Sequence, residues 1–161
     1  MVFAAGDILH ADDLNPLFAY KTADESVNSG TTGTTLQDDD HLFLSVAANT
    51  RYLVECFFAW TSPVAADFKF TFTTPVGVAG MWTALNPTLA SAVSAPYTGS
   101  LSWGSTGTFE GFNLDMFARV NGILVVGGTA GTLRLQWAQN TANASNTTVR
   151  QYSWLRLIKV S

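Results

Sequence analysis

The most conspicuous polar cluster in the sequence is the run Asp38-Asp39-Asp40-His41. Carboxylates bind hard cations such as Ca²⁺, so this run is a candidate cation site. Consecutive side chains of an extended chain point to alternate sides, so the three acids converge only in a tight loop. The spacing is not that of an EF-hand. A solvated turn before the first strand of the domain is the simpler interpretation, and we assign no metal site.

Residue types suited to catalysis are sparse. His10 and His41 are the only histidines, and the sequence has no Gly-x-Ser-x-Gly elbow to pair with either. Glu110 and Asp115 are a candidate carboxylate pair for sugar hydrolysis, although surface turns explain them as well. Cys56 is the only cysteine, lies in the most apolar segment and is expected to be a small buried hydrophobe. We therefore expect no enzyme activity and no cofactor.

Aromatic residues next to polar loops suggest a second kind of chemistry, namely carbohydrate binding. Trp82 and Trp103 lie in sequence rich in Pro, Gly, Ser and Thr, where an aromatic side chain can remain exposed for stacking on a sugar. Trp137 and Trp154 lie in predicted strands and are expected in the core. Trp82 and Trp103 are thus the candidate ligand-facing residues.

Composition and charge exclude several classes of protein. The 161 residues are 47% hydrophobic and 12% charged, which argues against disorder. Eight of the twelve acidic residues and one of the eight basic residues lie within residues 1–40, and no basic stripe follows, so we expect no nucleic-acid partner. No apolar run reaches about 18 residues, so no membrane insertion is expected. The first residues lack the basic and apolar regions of a secretory signal.

The chain divides into an N-terminal arm over residues 1–23 and a β domain over residues 24–161. Residues 10–17 have room for a small helix that Pro16 ends or kinks. The arm has too many apolar residues for a free tail, so we expect it to dock on a partner surface. Its candidate anchoring residues are Phe3, Ile8, Leu9, Leu14, Leu17 and Phe18.

The pattern from residue 41 onward is that of strands. Residues 67–73 alternate, with three phenylalanines on one face. Residues 51–60 are almost continuously apolar, which predicts a strand buried on both faces. Asn121-Gly122 between apolar runs predicts a hairpin turn. About eight strands without sustained helical periodicity indicate an all-β, antiparallel jelly-roll sandwich.

Several segments resemble proteins of tailed-bacteriophage virions. Residues 5–15 are similar to their opening, in which a Gly-Asp turn precedes a short Ala-Asp-Leu-Asn helix. Residues 24–27 and 34–42 resemble a segment that leads into their first strand. Residues 133–140 and 153–157 resemble their C-terminal strands, whereas residues 74–112 match no pattern of the group.

The resemblance implies a minor virion structural protein with a jelly-roll head like that of tumour necrosis factor, found as a capsid decoration, a head fibre or a tail-fibre tip. It implies a homotrimer, made in the bacterial cytoplasm and incorporated into the virion. Leu155 and Leu157 are the expected trimer contact, and the arm would bind the major capsid protein or another virion protein. Our preferred function is a non-enzymatic decoration of the capsid exterior that stabilises the shell. The alternative is a tail-tip head that binds a receptor or a host surface glycan.

Overall fold

The computed structural model describes residues 15–28, 33–86 and 99–160. Within these ranges the chain forms strands and no helix. The strands are β1 (Leu17–Tyr20), β2 (Glu25–Val27), β3 (Gln37–Val46), β4 (Arg51–Thr61), β5 (Phe68–Thr73), β6 (Ala79–Leu85), β7 (Leu101–Ser102), β8 (Gly107–Phe109), β9 (Met116–Val125), β10 (Gly131–Gln139), β11 (Thr147–Val149) and β12 (Trp154–Lys159).

The strands form two antiparallel sheets. The eight-stranded sheet has the order β1-β12-β4-β9-β6-β7, and β11 joins it beside β4 and carries β2. The four-stranded sheet has the order β3-β10-β5-β8. The chain passes repeatedly from one sheet to the other, as in a jelly roll. The fit to that fold is loose, because β2, β6, β7 and β11 are additions to the eight main strands. The all-β, antiparallel expectation is confirmed.

The core lies between the two sheets and is rich in aromatic side chains. Trp60 of the larger sheet stacks on Phe68 of the smaller one, with ring centroids 4.7 Å apart. Phe58 packs edge-on against Phe70 at 5.1 Å. Trp137 is also fully buried, as its strand pattern predicted. Edge-to-face and offset contacts of this kind add to the free energy gained by burying the rings.

Period-2 alternation correctly predicted which side chains enter this core in most strands. The three phenylalanines of β5, Phe68, Phe70 and Phe72, are fully buried. The strand β4 differs from its prediction, because only its inward side chains, from Tyr52 to Trp60, are buried. Its opposite face is exposed or half-buried, since none of the described residues forms a layer over the outer side of the larger sheet.

The predicted hairpin at Asn121-Gly122 is wrong. Both residues lie inside β9, which pairs continuously with β4 on one side and β6 on the other. A Cβ atom at position 122 would come within 2.9 Å of the Met81 carbonyl oxygen and of the Trp82 Cβ. Gly122 therefore allows β6 to approach β9 closely and does not form a turn. Close approach of a neighbouring backbone is a known reason for glycine inside a strand.

The chain enters the larger sheet at Leu17. Leu17 to Tyr20 form β1, which pairs with β12 from Leu157 to Trp154. The Lys21 amide continues this connection by donating to the Ser153 carbonyl oxygen at 2.7 Å. The end of the predicted arm, up to residue 23, is thus attached to the β domain. Of the predicted helix only residues 15–17 are described, and they are not helical.

Candidate interaction surfaces

The outward side chains of the larger sheet form a broad apolar surface, which we call the outer face. It crosses five neighbouring strands, β1, β12, β4, β9 and β6, and the strand register aligns its side chains in rows. The outer face consists of Phe18, Tyr20, Leu53, Glu55, Phe57, Ala59, Met81, Thr83, Leu85, Phe117, Arg119, Asn121, Ile123, Trp154, Arg156 and Ile158.

One part of the outer face is aromatic. Trp154 of β12 stacks on Phe18 at 6.0 Å and on Phe57 at 6.2 Å, measured between ring centroids. Phe57 in turn stacks on Phe117 at 5.6 Å. These rings form a continuous ribbon across β1, β12, β4 and β9. Trp154 is only half-buried, so its expected place in the core is wrong.

A second part is aliphatic. Ile158 pairs with Leu53, Leu53 with Ile123, and Ile123 with Met81 across four strands. Leu53, Ile123 and Met81 each remain at least 40% exposed. Cross-strand apolar pairs stabilise the sheet locally, but they leave this side of the row open to solvent.

Polar groups on the outer face lie between these two parts. Arg156 donates from Nε and Nη2 to a single oxygen of Glu55, its direct cross-strand partner. Asn121 and Thr83 continue the same row on β9 and β6. The one acidic side chain of the outer face is thus balanced by the Arg156 guanidinium, and Arg119, exposed on β9, adds one further positive charge.

The outward side of the smaller sheet has a different character. Its side chains are mainly hydroxyl, amide and charged groups, and Arg134 and Gln136 both donate to Asp38, at 2.6 and 2.7 Å. The Arg134 guanidinium lies over the ring of Phe43 at 4.5 Å. Gln136 and Arg134 hold the pKa of Asp38 below its ordinary value through these hydrogen bonds. This side is a solvated surface, so the two sides of the sandwich are not equivalent.

A buried ion pair fastens the segment after β1 to β3. Lys21 Nζ lies 2.8 Å from Asp39 Oδ2 and 2.6 Å from Glu25 Oε2, and the Lys21 and Asp39 side chains are fully buried. Asp39 also accepts the amides of His41 and Leu42, at 2.9 and 2.8 Å. The sequence signal for this pair was the single base among eight acids in residues 1–40.

The same cluster contains the side chains best placed for a cation. Glu25, Asp39 and His41 place one potential ligand atom each within 4.8 Å of one another. The Lys21 ammonium already contacts both carboxylates, and His41 Nε2 lies 3.0 Å from Thr22 Oγ1. The positive charge that these acids require is therefore supplied by the chain, and the arrangement is that of a structural ion pair.

The acidic run of the sequence does not form one site. Asp38, Asp39 and Asp40 lie in β3, which begins at Gln37, so the solvated turn expected before residue 41 is instead a strand. Their side chains alternate, as the extended geometry requires: Asp39 is buried with Lys21, whereas Asp38 and Asp40 are exposed. Asp38 contacts β10 across the sheet.

Trp82 and Trp103 are not the exposed aromatics that carbohydrate stacking requires. Trp82 is 1% exposed and packs against Phe70 and Phe72 in the core. Trp103 is partly buried against the same core, and its Nε1 donates to the Ile123 carbonyl oxygen at 2.9 Å. Trp82 lies in β6 and Trp103 directly follows β7, and the pairing of these strands in the larger sheet turns both rings inward.

Leu155 and Leu157 are unsuitable as contacts with another subunit. Both are fully buried within the single chain. Side chains of β12 alternate between the two sides of the sheet, and Leu155 and Leu157 are on the inward side. Trp154, Arg156 and Ile158 are the side chains of β12 that face outward.

The anchoring residues are described only in part. Phe3, Ile8, Leu9 and Leu14 lie outside the described residues, as does His10. Leu17 and Phe18 belong to β1 and are 42% and 55% exposed. Phe18 is therefore part of the outer face.

The remaining candidates for chemistry are Cys56, Glu110 and Asp115. Burial raises the pKa of the Cys56 thiol far above its ordinary value, as expected for a core side chain and not for a nucleophile. Glu110 and Asp115 are exposed. Asp115 accepts the Nε–H of Arg150 at 2.8 Å.

Comparisons with known proteins give a structural likeness. No protein-family model matches the chain, and no curated protein matches it in sequence. The chain is similar to one in the solved structure of the tripod from the baseplate of bacteriophage Tuc2009, with 14% identity, a TM-score of 0.40, and coverage of 98% of this chain and 72% of that chain. The described part of the chain contains no helix that is long and apolar enough to cross a membrane.

Proposed function

We propose that this protein is a non-enzymatic structural component of a bacteriophage virion, with a jelly-roll domain that assembles as a homotrimer through its outer face. The exposed apolar side of the larger sheet is the observation that carries the proposal. The similarity of the terminal segments to tailed-phage virion proteins supplies the biological setting.

The extent of the outer face supports burial against another protein. Five strands spaced by about 4.8 Å, with outward side chains over about 20 Å of each, give a projected area on the order of 500 Å². A typical soluble monomer has a largest apolar patch of roughly 300–600 Å², and that patch is often functional. Seven of the thirteen exposed large hydrophobic residues lie on this one surface, so their clustering is not the scatter of an ordinary surface.

A second copy of the chain is the occupant that the charges favour. The Glu55–Arg156 pair and the exposed Arg119 give the outer face a net charge of only +1, which is too small to select a strongly acidic or basic partner. Only 12% of the chain is charged, as expected when much of its surface is covered in the assembly. Closed cyclic symmetry buries the same surface on every copy and leaves none open for further growth.

Decoration of the capsid exterior, with the N-terminal arm as the anchor, is the role that we favour. The apolar residues of the arm, among them Phe3, Ile8 and Leu9, need a surface to bury them. Residues 17–21 are fixed to the sheet. The segment that is available for anchoring therefore ends near Pro16, which is shorter than the sequence suggested.

The second candidate is a tail-tip head that binds a receptor or glycan. It is compatible with the same assembly, because fold and symmetry do not specify a location in the particle. Trp82 and Trp103 do not support it, since both rings pack against the core.

Immunogold labelling of intact particles distinguishes the two locations. Label over the head is the result expected for a decoration protein, and label confined to the tail supports the receptor-binding candidate. Absence of label from purified particles, with the antibody active on the isolated protein, contradicts a virion role altogether.

The anchor is tested in the full-length chain by the double substitution Ile8→Asp and Leu9→Asp. We expect the variant to remain a trimer and to lose binding to particles that lack the protein. Phe43→Asp, on the solvated side, is the control and is expected to bind normally. Unchanged binding by the arm variant would show that the anchor lies elsewhere.

A further inference from the structure

A cleft at the edge of the outer face, with which it shares Ala59, combines an exposed aromatic ring with fixed charged groups. It has a volume of about 430 Å³ and is lined by Asp24, Ala59, Asp115, Arg150, Gln151 and Tyr152. From this combination we infer that the cleft is a binding site for an uncharged saccharide. The inference goes beyond the proposed structural role and does not depend on self-association.

Tyr152 is the most unusual residue of the cleft. It is 73% exposed, and its backbone has a φ of 70°. That conformation favours glycine or asparagine at a turn, so a tyrosine is an unfavourable choice there for folding alone. A strained residue that presents a large ring to solvent is a reason to look for a function.

The turn that carries Tyr152 is held rigidly. The Tyr152 amide donates to the Lys21 carbonyl oxygen at 2.9 Å, and the Arg150 amide donates to the Ala59 carbonyl oxygen at 2.8 Å. Ser153 Oγ donates to the Arg150 carbonyl oxygen at 2.7 Å and accepts the Ala59 amide at 3.1 Å. The ring is thus attached to a fixed base, which lowers the entropy lost when a ligand binds.

Polar groups of the cleft are equally well positioned. Arg150 donates through Nη1 to Asp24 at 2.9 Å and through Nε to Asp115 at 2.8 Å. The Gln151 amide donates to the second oxygen of Asp24 at 2.8 Å. The Gln151 amide and Arg150 hold the pKa of Asp24 below its ordinary value, so it is ionised near neutral pH. The Asp115 side chain is 64% exposed and the Arg150 side chain is 35% exposed, so both remain accessible to a ligand.

These groups match the chemistry of a sugar. Hydroxyl groups both donate and accept, so one ring can bond to a carboxylate and to a guanidinium at the same time. The C–H groups on one side of a pyranose pack against an aromatic ring such as that of Tyr152. Two carboxylates and one guanidinium leave a net negative charge, which disfavours acidic sugars, phosphates and nucleic acids.

An array of neutral and acidic oligosaccharides, built from glucose, galactose, rhamnose, N-acetylglucosamine and sialic acid, tests the inference with the intact protein. We expect neutral members to bind and acidic members to be rejected. Isothermal titration with the best neutral member then measures the variants. Tyr152→Gly is expected to weaken binding at least tenfold, and Asp115→Asn several-fold. Phe43→Ala, which removes an exposed ring from the opposite sheet, is expected to bind like the unmodified protein.

Tyr152→Gly also separates binding from folding. Glycine suits the backbone at this position, so the variant is expected to melt at the same temperature or higher and to keep its oligomeric state. Binding of no neutral sugar on the array, binding of acidic sugars only, or full affinity in Tyr152→Gly would each overturn the inference. None of these results would affect self-association through the outer face.

Discussion

The substitution Phe117→Asp addresses the role of the outer face with a control of the same residue type. Phe117 is 44% exposed on the outer face, and Phe43 is 41% exposed on the opposite sheet. Among the described residues, Phe117 stacks on Phe57 and Phe43 lies under the Arg134 guanidinium. Contacts of either kind contribute roughly 0.5–1.5 kcal/mol, so both variants should lose a similar, modest part of their folding free energy.

The effect on assembly follows from the area that the ring leaves open. A phenylalanine side chain buries roughly 200 Å² when fully covered, so a ring that is 44% exposed leaves about 90 Å² for a partner. At about 25 cal/mol per Å², covering that area contributes about 2 kcal/mol per contact. Its loss corresponds to roughly a 30-fold weaker association. The aspartate adds the cost of burying an unpaired carboxylate, so 30-fold is a lower limit.

Sedimentation equilibrium of Phe117→Asp, Phe43→Asp and the unmodified chain measures this difference. Circular dichroism and urea denaturation, performed where each variant is monomeric, verify that both remain folded. We expect Phe117→Asp to dissociate at concentrations where Phe43→Asp stays assembled. Equal association of the two variants, with both folded, would refute the assignment of the interface to the outer face.

Three further substitutions test the interior and the ion pairs. Lys21→Met leaves the Asp39 carboxylate buried without its cation, and we expect a loss of about 3–5 kcal/mol of unfolding free energy in urea denaturation; a loss below about 1 kcal/mol would contradict the buried pair. Gly122→Ala forces β6 to shift and is expected to cost about 1–3 kcal/mol by the same measurement, so a neutral effect would contradict the close approach. The hydrogen bonds from the Gln151 backbone amide and Arg150 lower the pKa of Asp24 in the folded state. Their contribution to folding stability is therefore complete above the ordinary Asp pKa of 3.8 and is lost as the pH falls through the lowered pKa of the folded state. Asp24→Asn should therefore reduce the loss of melting temperature between pH 5 and about pH 2, and an unchanged acid profile would contradict this coupling.

Alternation in the sequence was sufficient to predict the sandwich and much of its core. The inward side chains of β5 and β10 follow directly from their period of two. The period cannot show whether the second face of a strand is covered by the same chain or by another one. For β4 an apolar sequence therefore predicted burial on both faces, whereas the Leu53 and Phe57 side is open.

Local signals failed where distant parts of the chain decide the structure. Asn121-Gly122 has the composition of a turn, but pairing with β4 and β6 keeps it extended. The same is true of Trp82 and Trp103. The direction of their rings depends on where β6 and β7 pair in the larger sheet, which the local sequence does not show. The cleft around Tyr152 joins residues that are far apart in sequence, so no motif indicated it.

Sedimentation velocity of the unmodified, full-length chain tests the central claim most directly. Three chains of 17.3 kDa have a combined mass of about 52 kDa. We predict a single species of that mass from about 1 to 100 μM, since an interface that buries the outer face should persist across this range. A species of 17.3 kDa at every concentration would contradict assembly through the outer face.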